Sequence, residues 1–477
     1  MSIFLFSVIL LIAGYFLYGA FVEKVFGASE YRKTPAIKYN DGVDYVPLPV
    51  WKVFLIQFLN IAGLGPVFGA VLGAVYGPVC LLWIVFGSIF AGGVHDYLSG
   101  MFSVRFKGKT MDFLVQKLIS KQFAVIFMIF LVIILILVGA VFALNPAKML
   151  ADIFHSQLIV WASVIFGYYF LTTLLPVDKV IGRFYPVFAL LLITVTVALL
   201  SKLFMFDHSW FAQMTFANIH PKSAPIFPLM FVTVACGAIS GFHATQSPIM
   251  ARCVCNEKQG RFVFYGAMIL EGFIALVWAT LGIAFYQNQA AYFADVTALG
   301  QGGVVAKISE ALLGGIGAKL TVLSVVVLSI TSGDTAFRAA RLTIAEFLHV
   351  NQKNILKRLF LSILVLSAGI SFIFVDITKL WMYFAWANQT LATITLWAVS
   401  IYLRRKNRFY FVSLIPALFM TMVSSTYILY QKIGFNMPLN YAKIAAAAIT
   451  CTVLSVFLHC VKPKKTVEIN VKQEIKL

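Results

Sequence analysis

The sequence predicts an all-α polytopic membrane protein with about thirteen transmembrane helices and a core of two inverted five-helix repeats with two discontinuous helices. Hydrophobic residues make up 61% and charged residues 12% of the 477 positions, whereas a soluble domain carries roughly 25% charged residues. Apolar stretches recur along the whole chain, and many have the length of ~20 residues that is needed to cross a bilayer. We therefore predict a single membrane domain over residues 1–477, with the lipid bilayer as its main surroundings.

The predicted spans follow one another with short polar connections. The first stretch has neither a basic segment before it nor a small-residue cleavage site after it, so we interpret it as a retained span. The spans cover residues 2–21, 50–74, 77–103, 121–143, 157–175, 184–205, 226–250, 261–286, 318–345, 355–375, 379–402, 408–430 and 440–461.

The basic residues orient this arrangement. With the N-terminus outside, 29 of the 37 Lys and Arg residues fall in inner connections and 8 in outer ones. This asymmetry is what the positive-inside rule expects, and it places the tail at residues 462–477 in the cytoplasm. The net charge of +19 is scattered in short clusters between apolar runs. We therefore expect no nucleic-acid partner, because such proteins gather basic residues on one soluble module.

Two predicted spans contain helix-breaking residues at mid-membrane depth. The second contains Gly63, Gly65 and Pro66, and the seventh contains the run Cys236–Pro248, with two glycines, a proline and several polar residues. Non-helical backbone is tolerated at that depth only where it faces protein or a wet cavity. Alternatively, the glycines serve only to let helices pack closely.

The two interrupted spans lie five apart in the predicted order, so they cross the membrane in opposite directions. Such a pair indicates an inverted-repeat transporter with its binding site at the midplane. We assign the repeats to residues 50–205 and 226–402. The span at 2–21 and the pair at 408–461 are then peripheral to the core.

Helix starts at the two breaks suggest a small anion, such as a carboxylate, as the substrate. We expect an outer half-helix to begin at Pro66, and an inner half-helix to begin after Thr245 or Ser247 with Pro248 in its first turn. Both would direct N–H groups and a positive dipole end toward the midplane. For Asn388 and Gln389 a substrate role and a structural role between helices both remain open. The candidate substrate-binding residues are Gly63, Gly65, Pro66, Ser240, Gly241, His243, Thr245, Gln246, Asn388 and Gln389.

Ionisable residues inside spans are costly and are therefore candidates for ion coupling. His95 and Asp96 are adjacent in the third span, and Glu271 lies near the middle of the eighth. His95 and Asp96 either handle protons or anchor helices at the inner interface. Glu271 either carries a proton or forms a hydrogen bond to a neighbouring helix. Asp334 in the ninth span lies four residues before Arg338, so these two can also pair along one helix face.

Four segments in chain order resemble signatures of the carbon starvation protein A family. They are Gly92–Tyr97 (GGVHDY), Cys236–Pro248 (CGAISGFHATQSP), Thr331–Arg338 (TSGDTAFR) and Phe384–Ala392 (FAWANQTLA), and Asn60–Ala70 also matches. The resemblance implies a secondary transporter of the LeuT-like type in a bacterial cytoplasmic membrane. It implies uptake of pyruvate by proton symport, or uptake of peptides.

The same resemblance suggests a cation site between the second and ninth spans. Thr331 and Ser332 occupy the position of a hydroxyl pair, with the carbonyls of Ala62 and Gly65 opposite, and oxygen ligands suit a hard cation such as Na⁺. Asp334 and the histidines would suit protons instead. The coupling ion, H⁺ or Na⁺, stays open at this point, and no organic cofactor is expected.

The leading hypothesis is an importer of a small carboxylate, pyruvate first, driven by an ion gradient, and a peptide importer is the nearest alternative. A transporter-like sensor is a second alternative. An intramembrane metalloenzyme using His95, Asp96 and His243 as ligands is a third. We expect no enzymatic activity, because no ATP-binding loop, metalloprotease motif or nucleophile elbow occurs. The oligomeric state does not follow from the sequence.

Overall fold

A computed structural model describes residues 2–42, 45–174, 177–205, 216–234, 236–286, 288–350 and 354–463. All regular elements in these ranges are helical, which confirms the predicted all-α class. Beyond residue 463 the predicted cytoplasmic tail lies outside the described residues. The main helices are α1 (Ile3–Phe26), α2 (Val50–Ile61), α3 (Gly65–Tyr76), α4 (Val79–Arg105), α5 (Met111–Leu118), α6 (Gln122–Ile153), α7 (Leu158–Leu174), α8 (Val177–Leu203), α9 (226–233), α10 (His243–Ala251), α11 (Glu257–Phe285), α12 (Gln289–Phe347), α13 (Ile355–Phe374), α14 (Ile377–Arg405), α15 (Phe411–Tyr430) and α16 (Leu439–Cys460).

Within the described ranges, nine helices are long and apolar enough to cross a membrane, namely α1, α4, α6, α8, α11, α12, α13, α15 and α16. The bent pair α2 and α3 would make a tenth span. The remaining three predicted spans correspond to α7, whose apolar part is short, to α9 with α10, and to α14. The last of these is long enough, but Asn388 and Gln389 lower its apolar character. The count of thirteen therefore stays a prediction.

Helix α12 begins well before the span predicted at 318–345. Its helical geometry is interrupted at Gly300 (φ 68°) and Gly314 (φ 71°), so that the predicted span corresponds to the part after Gly314. Residues with a side chain are strained at such positive φ angles, which explains the two glycines. The part before Gly300 packs over the end of α3, where Gln289 Nε2 donates to the carbonyls of Ala74 and Val75 at 2.8 and 2.6 Å.

The first predicted break is confirmed. Helix α2 ends at Ile61 and α3 begins at Gly65, with a bend of 54° between them. Ala62 leaves helical geometry at ψ 45°. Pro66 lies in the first turn of α3, where its missing N–H removes no helical hydrogen bond.

The second break is also confirmed, although its inner helix starts earlier than predicted. The described residues 236–242 are not helical, and α10 begins at His243 instead of after Thr245 or Ser247. Pro248 consequently lies inside α10 and not in its first turn. The early start follows from a local turn, in which the N–H groups of His243 and Thr245 donate to the carbonyls of Ser240 and Phe242 at 3.3 and 2.9 Å.

The two breaks pack directly against each other through their glycines. A Cβ atom added to Gly65 would lie 1.9 Å from Cys236 Cβ, and one added to Gly69 would lie 2.9 Å from the carbonyl oxygen of Thr233. A Cβ atom on Gly237 would in turn lie 2.5 Å from Ala275 Cβ in α11. The packing interpretation and the helix-breaking interpretation of these glycines therefore both hold.

One end of the bundle, which we call the basic end, carries Arg32, Arg105, Lys109, Arg252 and Arg261. The carboxylate of Glu257 is buried there and accepts from the backbone N–H of Ser29 at 2.9 Å and from Arg32 Nη1 at 3.2 Å. Arg105 Nη2 lies 3.4 Å from the same carboxylate. These contacts tie the connection after α1 and the end of α4 to the start of α11.

We predict that Gly65→Ala destabilises the protein, because the added methyl group overlaps Cys236 and forces the two breaks apart. Overpacking of this kind costs about 1–3 kcal/mol. The unfolding temperature of the purified protein in detergent micelles should fall measurably. Gly167→Ala is the matched control, since no atom lies within 4 Å of an added Cβ there. Equal unfolding temperatures for the two variants would contradict the described contact.

Candidate functional site

Four ionisable side chains form a continuous buried chain across three helices. His95 Nδ1 lies 2.8 Å from Asp96 Oδ1 within α4, and His243 Nδ1, at the start of α10, lies 2.8 Å from Asp96 Oδ2. On its other side, His243 Nε2 lies 3.3 Å from Glu271 Oε2 in α11. All four side chains are completely buried. We call this chain the His-carboxylate chain.

Small residues allow the three helices to approach closely enough for these contacts. A Cβ atom on Gly92 would lie 2.3 Å from the carbonyl oxygen of Ala238, and one on Gly272 would lie 2.3 Å from Ser88 Oγ. Ser88 in turn donates to the carbonyl of Gly237 at 3.0 Å. The sequence pattern around His95 and Glu271 therefore serves to bring α4 and α11 against the second break.

The His-carboxylate chain brings four titratable side chains into successive close contact. The imidazole of His243 has one ring nitrogen facing each carboxyl group, so it can receive a proton on one side and release one on the other. None of these four side chains is exposed to solvent. The free energy of each protonation state therefore depends on the charges of the neighbouring side chains. Among the described residues, His243 Nε2 and both carboxyl oxygens of Glu271 have no hydrogen-bond partner, so the 3.3 Å approach of His243 to Glu271 is a close contact without hydrogen-bond geometry.

The predicted substrate residues Asn388 and Gln389 both bind the backbone of the second break. Asn388 Oδ1 accepts from the N–H of Phe242 at 2.7 Å, and its Nδ2 donates to Ser240 Oγ at 3.0 Å. Gln389 Nε2 donates to the carbonyl of Ile239 at 3.0 Å. These contacts satisfy polar groups that the interrupted helix leaves without partners, which favours the structural alternative for both residues.

The residues proposed for a cation lie close to the first break, with their hydroxyl groups engaged. Ser332 Oγ lies 3.4 Å from the carbonyl oxygens of both Leu59 and Asn60, one turn before the predicted carbonyls of Ala62 and Gly65. Thr331 Oγ1 donates to the carbonyl of Leu328 at 2.9 Å in its own helix. The predicted Na⁺ site at Ala62, Gly65, Thr331 and Ser332 stays a prediction.

Asp334 is separate from the His-carboxylate chain. Thr172 Oγ1 in α7 donates to Asp334 Oδ1 at 2.5 Å, and Arg338 Nη2 donates to the carbonyl of Thr172 at 2.9 Å. The predicted pairing along the helix is looser, with Arg338 Nη2 3.9 Å from Asp334 Oδ2. Asp334 therefore links α12 to α7.

The remaining predicted substrate residues surround the two breaks. Gly63, Gly65 and Pro66 are buried in the first break, and Gly241 and Gln246 are buried in or beside the second. Thr245 differs from them, because it lines a cavity that extends toward Arg252 at the basic end.

Sequence reasoning missed two groups of residues. Gln57 and Asn60 are fully buried three residues apart on α2, and within the described ranges their amide groups have no hydrogen-bond partner. The amide side chains of Gln57 and Asn60 within an otherwise apolar span could have identified them from the sequence. Arg252 and Glu346 form an ion pair at 2.9 Å, and no local pattern joins residues so distant in sequence.

The metalloenzyme hypothesis finds no support in the described part of the chain, where no three His, Cys, Asp or Glu side chains are arranged to hold a metal ion. His95 and His243 each approach a different oxygen of Asp96. Their nitrogens are therefore directed at that carboxylate and not at a shared point.

These features define a polytopic α-helical membrane protein with two interrupted helices and a buried ionisable chain between them. A family model described as carbon starvation protein CstA matches residues 1–153, 144–308 and 294–427. The chain therefore belongs to this family, as its sequence motifs predicted.

A named relative agrees with this assignment. A Haemophilus influenzae relative known only as an uncharacterized membrane protein is 45% identical over 60% of this chain and 92% of its own. Two Escherichia coli proteins, peptide transporter CstA and pyruvate/proton symporter BtsT, are 26% and 27% identical over 57% of this chain. The match spans about half of their lengths, 48% and 47%.

A manganese transporter from Eremococcus coleocola superimposes with a TM-score of 0.61 over 88% of this chain and 97% of its own, at 11% identity. At that identity the match shows a shared fold and nothing about the substrate.

We predict that Asn388→Leu lowers the unfolding temperature in micelles, because the N–H of Phe242 and the hydroxyl of Ser240 lose a buried partner. Leaving a buried polar group unsatisfied costs about 1–3 kcal/mol. Thr390→Val is the matched control on the same helix, since Thr390 Oγ1 donates to the carbonyl of Trp386 one turn earlier in that helix. A stability equal to that of the control would show that Asn388 does not support the break.

Proposed function

We propose that this protein is a proton-coupled secondary transporter of a small organic solute. The observation that carries the proposal is the His-carboxylate chain, in which His243 stands between Asp96 and Glu271 at the start of α10. Because His243 starts α10 directly after the second break, a movement of that break would alter its distances to both carboxyl groups. Protonation and conformation would then depend on each other.

The proposed transport cycle uses the two breaks as its moving parts. Residues 50–205 and 226–402 would form two inverted repeats within a thirteen-span protein, and the solute would bind where the breaks meet. The packing of Gly65 against Cys236 supports this arrangement, because it places the two breaks in direct contact. Access would alternate between the basic end and the end covered by the first part of α12.

A proton is the favoured coupling ion. The pyruvate relative is named a proton symporter, and the His-carboxylate chain supplies titratable groups where a proton could reside. For Na⁺, by contrast, the only support is the position of Thr331 and Ser332 near the first break. The hydroxyl groups of both already have carbonyl partners.

The proposed substrate is a small carboxylate, with pyruvate first and a short peptide as the alternative. Named relatives support both, since one Escherichia coli relative is called a pyruvate symporter and another a peptide transporter. The proposed location is a bacterial cytoplasmic membrane, with the basic end inside and the N-terminus outside. The distribution of Lys and Arg residues supports this orientation.

We predict that Glu271→Gln removes proton coupling while leaving solute exchange in place. Glutamine keeps the volume of the side chain but cannot take up and release a proton. With one proton per solute, a gradient of one pH unit supplies about 1.4 kcal/mol, or about tenfold accumulation. Radiolabelled pyruvate accumulation in proteoliposomes under this gradient should be lost, whereas exchange against internal pyruvate should persist.

Thr280→Val on the same helix is the control for that experiment, since Thr280 Oγ1 donates to the carbonyl of Leu276 one turn earlier in its own helix. It should accumulate pyruvate like the unmodified protein. Full accumulation by Glu271→Gln would disprove the proposed role of the His-carboxylate chain.

A transport panel would test the substrate and the ion directly. Uptake of pyruvate, lactate, amino acids and dipeptides should be measured with sodium replaced by choline at constant pH. We expect pyruvate uptake to be unchanged by this replacement and to increase with an inward proton gradient. Loss of uptake in choline would instead support Na⁺ coupling, and uptake of dipeptides alone would favour the peptide alternative.

A further inference from the structure

The end of α14 and the turn after it carry a dense positive charge without acidic residues near them in the sequence. Residues 404–408 read RRKNR, and the whole stretch 377–467 contains no Asp or Glu. Three other groups of basic residues at the basic end contact carboxylates, those of Glu23, Glu257 and Glu346. The charge at the end of α14 therefore has no counter-charge in the local sequence.

One of these arginines has a structural partner, and two others do not. Arg404 Nη1 and Nη2 donate to the carbonyls of Phe457 and Leu458 near the end of α16, at 3.2 and 3.1 Å. Arg405 is half-buried and Arg408 is exposed. Within the described ranges, neither of these two side chains forms an ion pair or a hydrogen bond.

An exposed aromatic pair lies beside the two arginines. Phe409 contacts Phe21 of α1 with ring centroids 5.8 Å apart, and 53% and 42% of their surfaces are exposed. Lys24 is exposed three residues after Phe21, so the two lie on the same face of α1. Arg408 Nη2 approaches the end of α1, where it would lie 3.2 Å from a Cβ atom added to Gly27. We call this surface the α1–α14 patch, and its residues are Phe21, Lys24, Arg405, Arg408 and Phe409.

The α1–α14 patch lies where α1 leaves the apolar part of the membrane at the basic end. The carbonyl of Gly27 also accepts from Arg105 Nη2 at 2.6 Å, which places the patch beside the residues that define this end. Shortly before Phe21, α1 exposes the apolar side chains of Phe16 and Leu17. Aromatic rings favour the level of the lipid headgroups, and basic side chains extend from that level toward water.

We infer that the α1–α14 patch binds the headgroup of an anionic phospholipid. The guanidinium groups of Arg405 and Arg408 provide paired donors for a phosphate group, and Lys24 adds a further positive charge. The acyl chains lie along the exposed apolar face of α1. Such a lipid supplies the negative charge that the sequence lacks around the end of α14. The inference adds a partner and does not depend on which solute the protein carries.

The bound lipid would join a peripheral helix to the core. Helix α1 already contacts the start of α11 through Glu23, whose carboxylate lies 3.4 Å from Lys258 Nζ and 3.2 Å from Arg261 Nε. A headgroup held between α1 and α14 adds an attachment on the other side of α1. We therefore expect anionic lipid to stabilise the folded protein as well as to bind it.

Lipid binding can be measured on the purified full-length protein in detergent micelles. Native mass spectrometry should count the dioleoyl-phosphatidylglycerol molecules that remain bound at increasing lipid concentration. A double variant, Arg405→Gln with Arg408→Gln, should bind this lipid about tenfold more weakly or less, because both phosphate-binding groups are lost. Equal binding by the unmodified protein and this variant would overturn the inference.

A second double variant, Lys33→Gln with Lys38→Gln, is the matched control. It removes the same charge from two exposed residues in the connection after α1, where Glu30 and Asp41 are close in sequence. Its lipid binding should stay unchanged. If binding weakens equally in both double variants, the lipid responds only to total charge and the α1–α14 patch is not a site.

A conservative variant separates the site from a folding defect. Arg405→Lys with Arg408→Lys keeps both positive charges and should bind more tightly than the glutamine variant. Phosphatidylglycerol should raise the unfolding temperature of the unmodified protein and the lysine variant more than that of the glutamine variant. An equal rise in all three would contradict a stabilising role of the patch.

A fluorescent reporter tests where the lipid binds. Phe409→Trp places an indole in the patch, whereas Phe435→Trp places one in the connection between α15 and α16 at the opposite end, where Phe435 is also exposed. Phosphatidylglycerol with brominated acyl chains should quench the indole at position 409 more strongly than brominated phosphatidylcholine does. Position 435 should show no such preference. The absence of a preference at position 409 would overturn the proposed location.

Competition identifies the source of the phosphate group. Inorganic phosphate and glycerol phosphate should fail to displace phosphatidylglycerol, because they lack the acyl chains that lie along α1. Displacement by either one would assign the patch to a soluble phosphate compound and overturn the lipid assignment. Equally tight binding of phosphatidylcholine would show that the negative charge of the headgroup is not recognised.

Discussion

The contact between the two interrupted helices is the constraint on which the rest of the structure depends. Within a bilayer, backbone groups released from a helix must find partners inside the protein. The first break packs its glycines against the second, and Asn388 and Gln389 of α14 bind the N–H of Phe242 and the carbonyl of Ile239. Without this packing, neither break would be stable at mid-membrane depth.

The same contact determines where titratable groups can be placed. His243 starts α10 directly after the second break, so its position follows that of the break. Helix α4 approaches through Gly92 and brings His95 and Asp96, while α11 approaches through Gly272 and brings Glu271. The proposed coupling of protons to conformation thus rests on the same close packing that stabilises the breaks.

The two ends of the bundle are closed by different interactions. At the basic end, ion pairs centred on Glu257 and Glu346 join connections that are distant in sequence. At the other end, Gln289 binds the carbonyl of Ala74 near the end of α3, and Tyr292 binds the carbonyl of Val71 in the same helix. Charged contacts near water are weakened readily by competing ions or ligands.

The sequence by itself determined the all-α membrane class, the positions of both breaks, the short set of buried ionisable residues and the family. These features depend on local apolar runs, on Gly and Pro within them, and on motifs that occupy a few consecutive residues. Only the tertiary structure decided that Asp96 meets His243, that Asp334 meets Thr172 instead, and that Asn388 supports a break. It also decided that α10 starts at His243 and that Arg252 pairs with Glu346. The physical reason is that a contact between two helices depends on their rotation and depth, and these are set by the packing of the whole bundle.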